Sequence, residues 1–141
     1  MKQPIKSVCA CIMLRRAAFA VTEMYDESLR EFGISLNQYS IMINLSRIGV
    51  ATTTELADRI GLERSTLVRN LKAIIAQGYI ENISDEKKRD NRLQVTEAGR
   101  ELLHRAAPKW QAAQDKITDL LGTDGIKQLM DILYKLQTIE K

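Results

Sequence analysis

The sequence predicts a mainly helical protein with one small β-hairpin, an α+β fold. Three observations carry this expectation. Apolar residues recur at spacings of three and four along most of the chain, the period of a helix with one buried face. Glycines at 33, 61, 78 and 122 each follow the end of such a stripe, where a left-handed residue closes a helix. Between 79 and 95 the helical period gives way to YIENIS and RLQV, two short stretches with β-branched or aromatic content.

The first stripe joins Ser7, Cys11, Leu14, Ala18, Val21, Tyr25, Ser28 and Phe32, which predicts one long helix over 7–32 stopped by Gly33. Ser35 and Gln38 form a capping-box pattern, because each side chain can reach the other's free backbone N–H. The helix they open runs from about Leu36 to Ile48 and buries Met42 and Leu45. Thr52 and Glu55 repeat the pattern before a short helix through Leu56 and Ile60. The next helix places Leu67, Leu71, Ile74 and Ile75 on one side. Two short helices joined around Ile60-Gly61-Leu62 have the spacing of a helix-turn-helix. The hairpin after them is its wing, with the polar run Asp85 to Asn91 at the tip.

Thr96 caps a further long helix, in which Leu103, Ala106, Trp110, Ala113, Ile117 and Leu120 keep their spacing across Pro108. Pro108 lacks a backbone donor and crowds the preceding turn, so a bend is expected there. Thr123 opens a last helix with Ile126, Leu129, Met130, Leu133, Leu136 and Ile139 inward. The outer helices carry more apolar stripe than a winged core can cover, which points to a homodimer. The expected division is therefore a dimerisation lobe from 1–34 and 97–141, and a winged helix-turn-helix DNA-binding lobe from 35–96.

Composition excludes several classes. With 141 residues, 45% hydrophobic and 28% charged, the chain is an ordinary globular protein. No run of eighteen apolar residues occurs, and Arg15 and Arg16 interrupt the first apolar stretch, so no membrane association and a cytoplasmic location are expected. Cys9, Cys11 and His104 cannot supply the four ligands of a structural zinc, and neither a metal nor a cofactor is implied. His104 has no nearby nucleophile pattern and no phosphate-cradling glycine loop appears, so an enzyme is not expected. The net charge of +3 does not by itself establish a nucleic-acid partner.

The placement of the basic residues is more telling. With Leu67 at the centre of the buried face, Ser65, Arg69 and Lys72 point outward, Thr66 stands beside them, and Arg64, Val68 and Asn70 fall on the flanks. Such a face suits a major groove, where arginine bridges O6 and N7 of guanine. A solvated polar face is the alternative for any short helix. The preceding helix, the tight turn and the basic hairpin favour DNA. Lys87, Lys88 and Arg89 stand at the tip, where long cations reach phosphates or a minor groove. The acids Asp85, Glu86 and Asp90 weaken the local field, which leaves Arg89 the stronger candidate.

The segment TTTELADRIGLERSTLVRNLKAIIAQGYIE, with the wing and VTEAGRELL after it, resembles the MarR family of bacterial regulators. The resemblance implies a two-fold dimer on double-stranded DNA, with one recognition helix per subunit in the major groove of a palindromic operator and wings in the neighbouring minor grooves. It places Ser65, Thr66 and Arg69 at recognition positions and Arg89 at the wing arginine. The family's D-x-R wing pattern would need an acid where Lys87 stands, a role open to Asp85 or Asp90.

It further implies a repressor released by a small phenolic or otherwise anionic effector bound between the lobes. Cys11, Arg15, Tyr39, Met42 and Trp110 are candidates by position, with core packing the alternative for each. Cys9 and Cys11 leave a redox-sensing regulator open. Two residues apart on a helix they point about 200° from each other, which disfavours a bond within the chain and leaves one between subunits. A winged helix that binds proteins alone is the remaining rival, and its outer face would be apolar or acidic rather than one carrying Ser65, Arg69 and Lys72.

Overall fold

A computed structural model describes residues 3–85 and 91–140. Helix α1 (Ala10–Leu29) passes into a 3-10 turn (Arg30–Phe32) and is followed by α2 (Leu36–Ile48), α3 (Thr53–Ile60) and α4 (Arg64–Ala76). Strands β1 (Ile80–Asn82) and β2 (Leu93–Val95) and helix α5 (Glu97–Leu136) complete the order. Among the described residues no helix is long and apolar enough to cross a membrane.

The first helix is shorter than its stripe predicts. It begins at Ala10, and Cys9 before it is extended (φ −85°, ψ 114°). Gly33 stops the 3-10 turn in the left-handed region (φ 70°), which a side chain would strain. Both halves of the Ser35–Gln38 capping box form, at 3.2 and 3.1 Å. At Thr52 only one half forms, with the Glu55 N–H donating to its hydroxyl at 3.1 Å. Helix α5 runs through Pro108 with helical dihedrals and is interrupted at Gly122 (φ 78°, ψ 166°), so a separate last helical segment follows as the sequence predicts.

The core lies where α2 meets α4, the hairpin and the first turns of α5. Leu29, Ile41, Met42, Leu45, Leu56, Leu67 and Ile74 are fully buried. Ile75, expected on this face, is 40% exposed, because the packing of α4 centres on Leu67, Leu71 and Ile74. The hairpin is antiparallel with Ile80 opposite Val95 and Asn82 opposite Leu93. Ala51 pairs with Leu93 through two backbone hydrogen bonds of 3.1 and 2.9 Å, so the loop between α2 and α3 forms a third rung of the wing.

The run Thr96-Glu97-Ala98-Gly99-Arg100 joins the wing to α5 by close contact. The Thr96 hydroxyl accepts the Gly99 N–H at 3.1 Å, and Arg100 donates to the Val95 carbonyl at 3.0 Å. A methyl at Gly99 would collide with the Tyr79 carbonyl and stand 2.7 Å from Val95 Cγ1, so only glycine lets the helix approach this closely.

The outer stripes are uncovered in the single chain. In α1 only Tyr25 and Leu29 are buried. Cys11, Leu14 and Val21, which share the stripe, are exposed, and so are Leu120, Met130, Leu136 and Ile139 at the other end.

Candidate nucleic-acid interface

Helix α4 turns one face to the core and the opposite face to solvent. Leu67 and Ile74 have no exposed surface, while Ser65, Arg69 and Lys72 are exposed. Thr66, Val68 and Asn70 are half-buried at the edges. Asn70 donates its amide to the Thr66 carbonyl at 2.9 Å, which commits that donor to its own helix. Exposed Arg64 donates to the Thr54 hydroxyl of α3 at 3.3 Å, linking the start of α4 to the helix before it.

The sequence-predicted tip cations Lys87, Lys88 and Arg89 lie outside the described residues, as do Glu86 and Asp90. The described part of the hairpin is held by backbone and side-chain hydrogen bonds of its own. The Ile83 N–H reaches the Arg92 carbonyl at 2.7 Å, Asn82 donates to Asn91 at 3.2 Å, and the Ser84 N–H donates to Asn82 at 3.0 Å. Arg92 is exposed and was not singled out by sequence. Its signal is the alternation with buried Leu93 and Val95, which turns Arg92 and Gln94 to the outer face.

A cleft of about 500 Å³ separates α2 from the turn between α3 and α4 and from α5. Tyr39 and Trp110, both predicted for an effector site, line it together. Their rings stack at 6.2 Å and 19°, and the Tyr25 ring lies 6.2 Å from Trp110 at a tilt of 34°. The Tyr25 hydroxyl donates to Gln114 Oε1. Burial pushes the Tyr39 phenol above its ordinary range, with the charge of Arg47 acting against that shift.

Met42 does not line the cleft, since α2 turns it wholly into the core. Cys11 and Arg15 do not line it either, because they stand exposed on the first turns of α1. The polar wall is Asn37, Ser40, Asn44 and Arg47, which sequence reasoning missed. Their spacing of three, four and three is itself a helical stripe, opposite the apolar one. A second hollow lined by Glu97, Arg100, Glu101, His104 and Arg105 has a single helix for its wall and encloses nothing. Among the described residues no three potential metal ligands cluster.

A recognition helix with a polar, cationic outer face, mounted on a shorter helix and flanked by a hairpin, defines a winged-helix DNA-binding protein. The family model described as "MarR family" matches residues 32–90. The M. tuberculosis transcriptional regulator MosR, solved in complex with DNA, is 33% identical over 92% of this chain and 96% of that chain, with a TM-score of 0.78. The transcriptional repressor CouR bound to a 23-mer DNA duplex is 25% identical over 96% and 99%, with a TM-score of 0.83. An uncharacterized HTH-type transcriptional regulator of Bacillus cereus is 26% identical over 81% of this chain and 77% of its own length. The chain belongs to the MarR family and is a transcriptional regulator, not an enzyme.

Proposed function

We propose that this regulator is a repressor that binds a palindromic operator as a homodimer and is released by a small molecule. The observation that carries the reading is the outward face of α4, where exposed Ser65, Arg69 and Lys72 stand opposite fully buried Leu67 and Ile74. Arg69 reads guanine from the major groove, Ser65 and Thr66 contact bases or phosphates near the helix start, and Lys72 neutralises a phosphate. Arg64 and Asn70 flank this contact, and Lys87, Lys88 and Arg89 carry it to the wing. MosR and CouR, both solved with DNA, support this assignment.

Residues 1–34 and 97–141 form the dimerisation lobe. Support comes from the exposed apolar residues at both chain ends, including Ile12, Phe19, Leu120 and Ile139. The effector occupies the cleft of Tyr39 and Trp110, where two aromatic rings and Arg47 suit a small aromatic anion.

Selection of binding sites from random duplexes, followed by titration at fixed salt, tests the DNA reading. Arg69→Ala should lose about 1–3 kcal/mol per half-site without unfolding. Equal operator affinity for the variant and the wild type would remove Arg69 from the interface. Binding that ignores salt would remove the phosphate contacts as well.

A second reading replaces the small molecule by an oxidant. Cys9 and Cys11 are both exposed, and Cys9 is extended and lies off the helix, so the divergence expected of two helical residues does not apply. A peroxide would accept two electrons and two protons from a pair of these thiols, leaving one disulfide, water and an alcohol. Operator release by peroxide in the wild type, absent in Cys9→Ser and Cys11→Ser, would favour this switch over the cleft.

A further inference from the structure

The C-terminal end of α4 is held from two sides. Its last turn closes at Gly78 (φ 84°), where the Tyr79 N–H reaches the Ile74 carbonyl at 3.1 Å. On one side Thr96 ties this end to α5. Its hydroxyl donates to the Gly78 carbonyl at 2.7 Å, and its N–H donates to the Tyr79 carbonyl at 3.0 Å. The same hydroxyl caps α5 through Gly99, so the stop of one helix and the start of the next share one oxygen.

On the other side stands Gln77, whose amide nitrogen reaches 44 residues back to the Gly33 carbonyl at 3.1 Å. Gly33 is the left-handed residue at the corner between α1 and α2. That corner is itself braced. The Asp26 carboxylate accepts the Leu36 N–H at 2.7 Å, the Gly33 N–H reaches the Arg30 carbonyl at 2.9 Å, and Lys109 of α5 stands 3.5 Å from Glu31. The main packing of α4 is on α2, α3 and β1, all within the winged unit. The Gln77 bond leaves that unit and reaches the end of the helix that carries the uncovered apolar stripe.

We propose that Gln77 is a positioning residue: its bond to the Gly33 carbonyl holds the recognition helix at a set angle to α1, and so fixes the half-site spacing that the dimer accepts. The inference rests on the reading of the protein as a two-fold dimer on DNA. Leverage gives one side chain this reach. Ser65 lies about 18 Å along the helix from Gln77 at 1.5 Å per residue, so a swing of about 10° carries it about 3 Å, nearly one base-pair rise. Thr96 supplies the pivot, and Gln77 removes the remaining freedom.

The test uses an operator selected with the wild-type protein and duplexes in which its half-sites are moved apart or together by one base pair. Dissociation constants at one salt concentration are compared for the wild type, Gln77→Met and Gln77→Glu. Methionine keeps the length without the donor, and glutamate sets an acceptor against the carbonyl. The wild type should prefer one spacing. Both variants should lose about fivefold of that preference per subunit, the factor that one neutral hydrogen bond is ordinarily worth. Penalties for base changes within a half-site should stay at wild-type size. The ratio between spacings does not depend on how much protein is folded, so a general loss of stability leaves it unmoved. Wild-type ratios in both variants, or a wild type indifferent to spacing, would overturn the inference. A wild type that selects no sequence at all would overturn the functional reading, and the inference falls with it.

Discussion

Leu67 and Leu120 both belong to the apolar stripe of a helix, yet the first has no exposed surface and the second is 83% exposed. The winged unit covers its stripes internally, with α2, α3 and β1 packed on α4. The outer parts of α1 and α5 meet at Tyr25, Trp110 and Gln114 and leave Leu14, Val21, Leu120 and Met130 exposed. The two regions also differ in what they expose. The winged unit presents Ser65, Arg69 and Lys72, whereas the ends present Ile12, Phe19, Met130 and Ile139. One surface suits a polyanion and the other a second apolar surface.

Removing the C-terminal part of the exposed apolar surface should have the largest effect. A chain ending at Gly122 is expected to sediment as monomers or aggregates and to lose the operator, because the proposed dimer then lacks the apolar residues after Gly122. A full-length protein that stays monomeric at micromolar concentration would break the comparison at its root.

Within each region a leucine-to-alanine change separates the two kinds of stripe. Leu67→Ala should lower the unfolding free energy by about 2–5 kcal/mol, the range for a fully buried leucine. Leu120→Ala should act through association, raising the concentration at which half the chains pair. Equal losses of stability for the two in dilute protein would mean that the outer part of α5 is not an open surface.

The wing gives a smaller effect. Replacing Lys87, Lys88 and Arg89 together with alanine should weaken binding to every sequence alike and flatten the log–log salt slope by about 0.9 for each phosphate that is no longer neutralised. If Arg89 instead reads a narrow minor groove, Arg89→Ala alone should relax preference outside the recognition-helix bases. Wild-type slope and preference in the triple variant would withdraw the wing from the interface.

The smallest effect is expected in alkali. Burial raises the Tyr39 phenol above its ordinary pKa of 10.0, and Tyr25 shifts in the same direction. The folded chain then keeps a proton that the unfolded chain releases. Stability from this source is present below pH 10 and falls as pH rises through the folded value. Tyr39→Phe should lose part of that decline, read as melting temperature between about pH 9 and 11. An unchanged decline would show that the packing around Trp110 does not shield the phenol.

The helices and their faces were legible because a helix repeats every 3.6 residues, so burial leaves a period in the sequence. Ser65, Arg69 and Lys72 followed from Leu67 by that geometry alone. The pairing of Ala51 with Leu93 left no such trace, since a backbone bridge between residues 51 and 93 depends on no side-chain pattern. The cleft was half legible. Tyr39 and Trp110 line it together, Met42 packs in the core as its place on the buried stripe of α2 predicts, and Arg47 carries no signal that distinguishes it from ordinary helix surface.

By itself, then, the sequence determined the helix boundaries to within a few residues, the turn at Gly61, the hairpin and the outward cations of α4. These depend on neighbours within one or two turns. Tertiary structure decided that Gly99 must lack a side chain beneath Tyr79 and that Gln77 reaches Gly33. Each of these depends on segments distant in the chain arriving at one place, and only the packed core sets that distance.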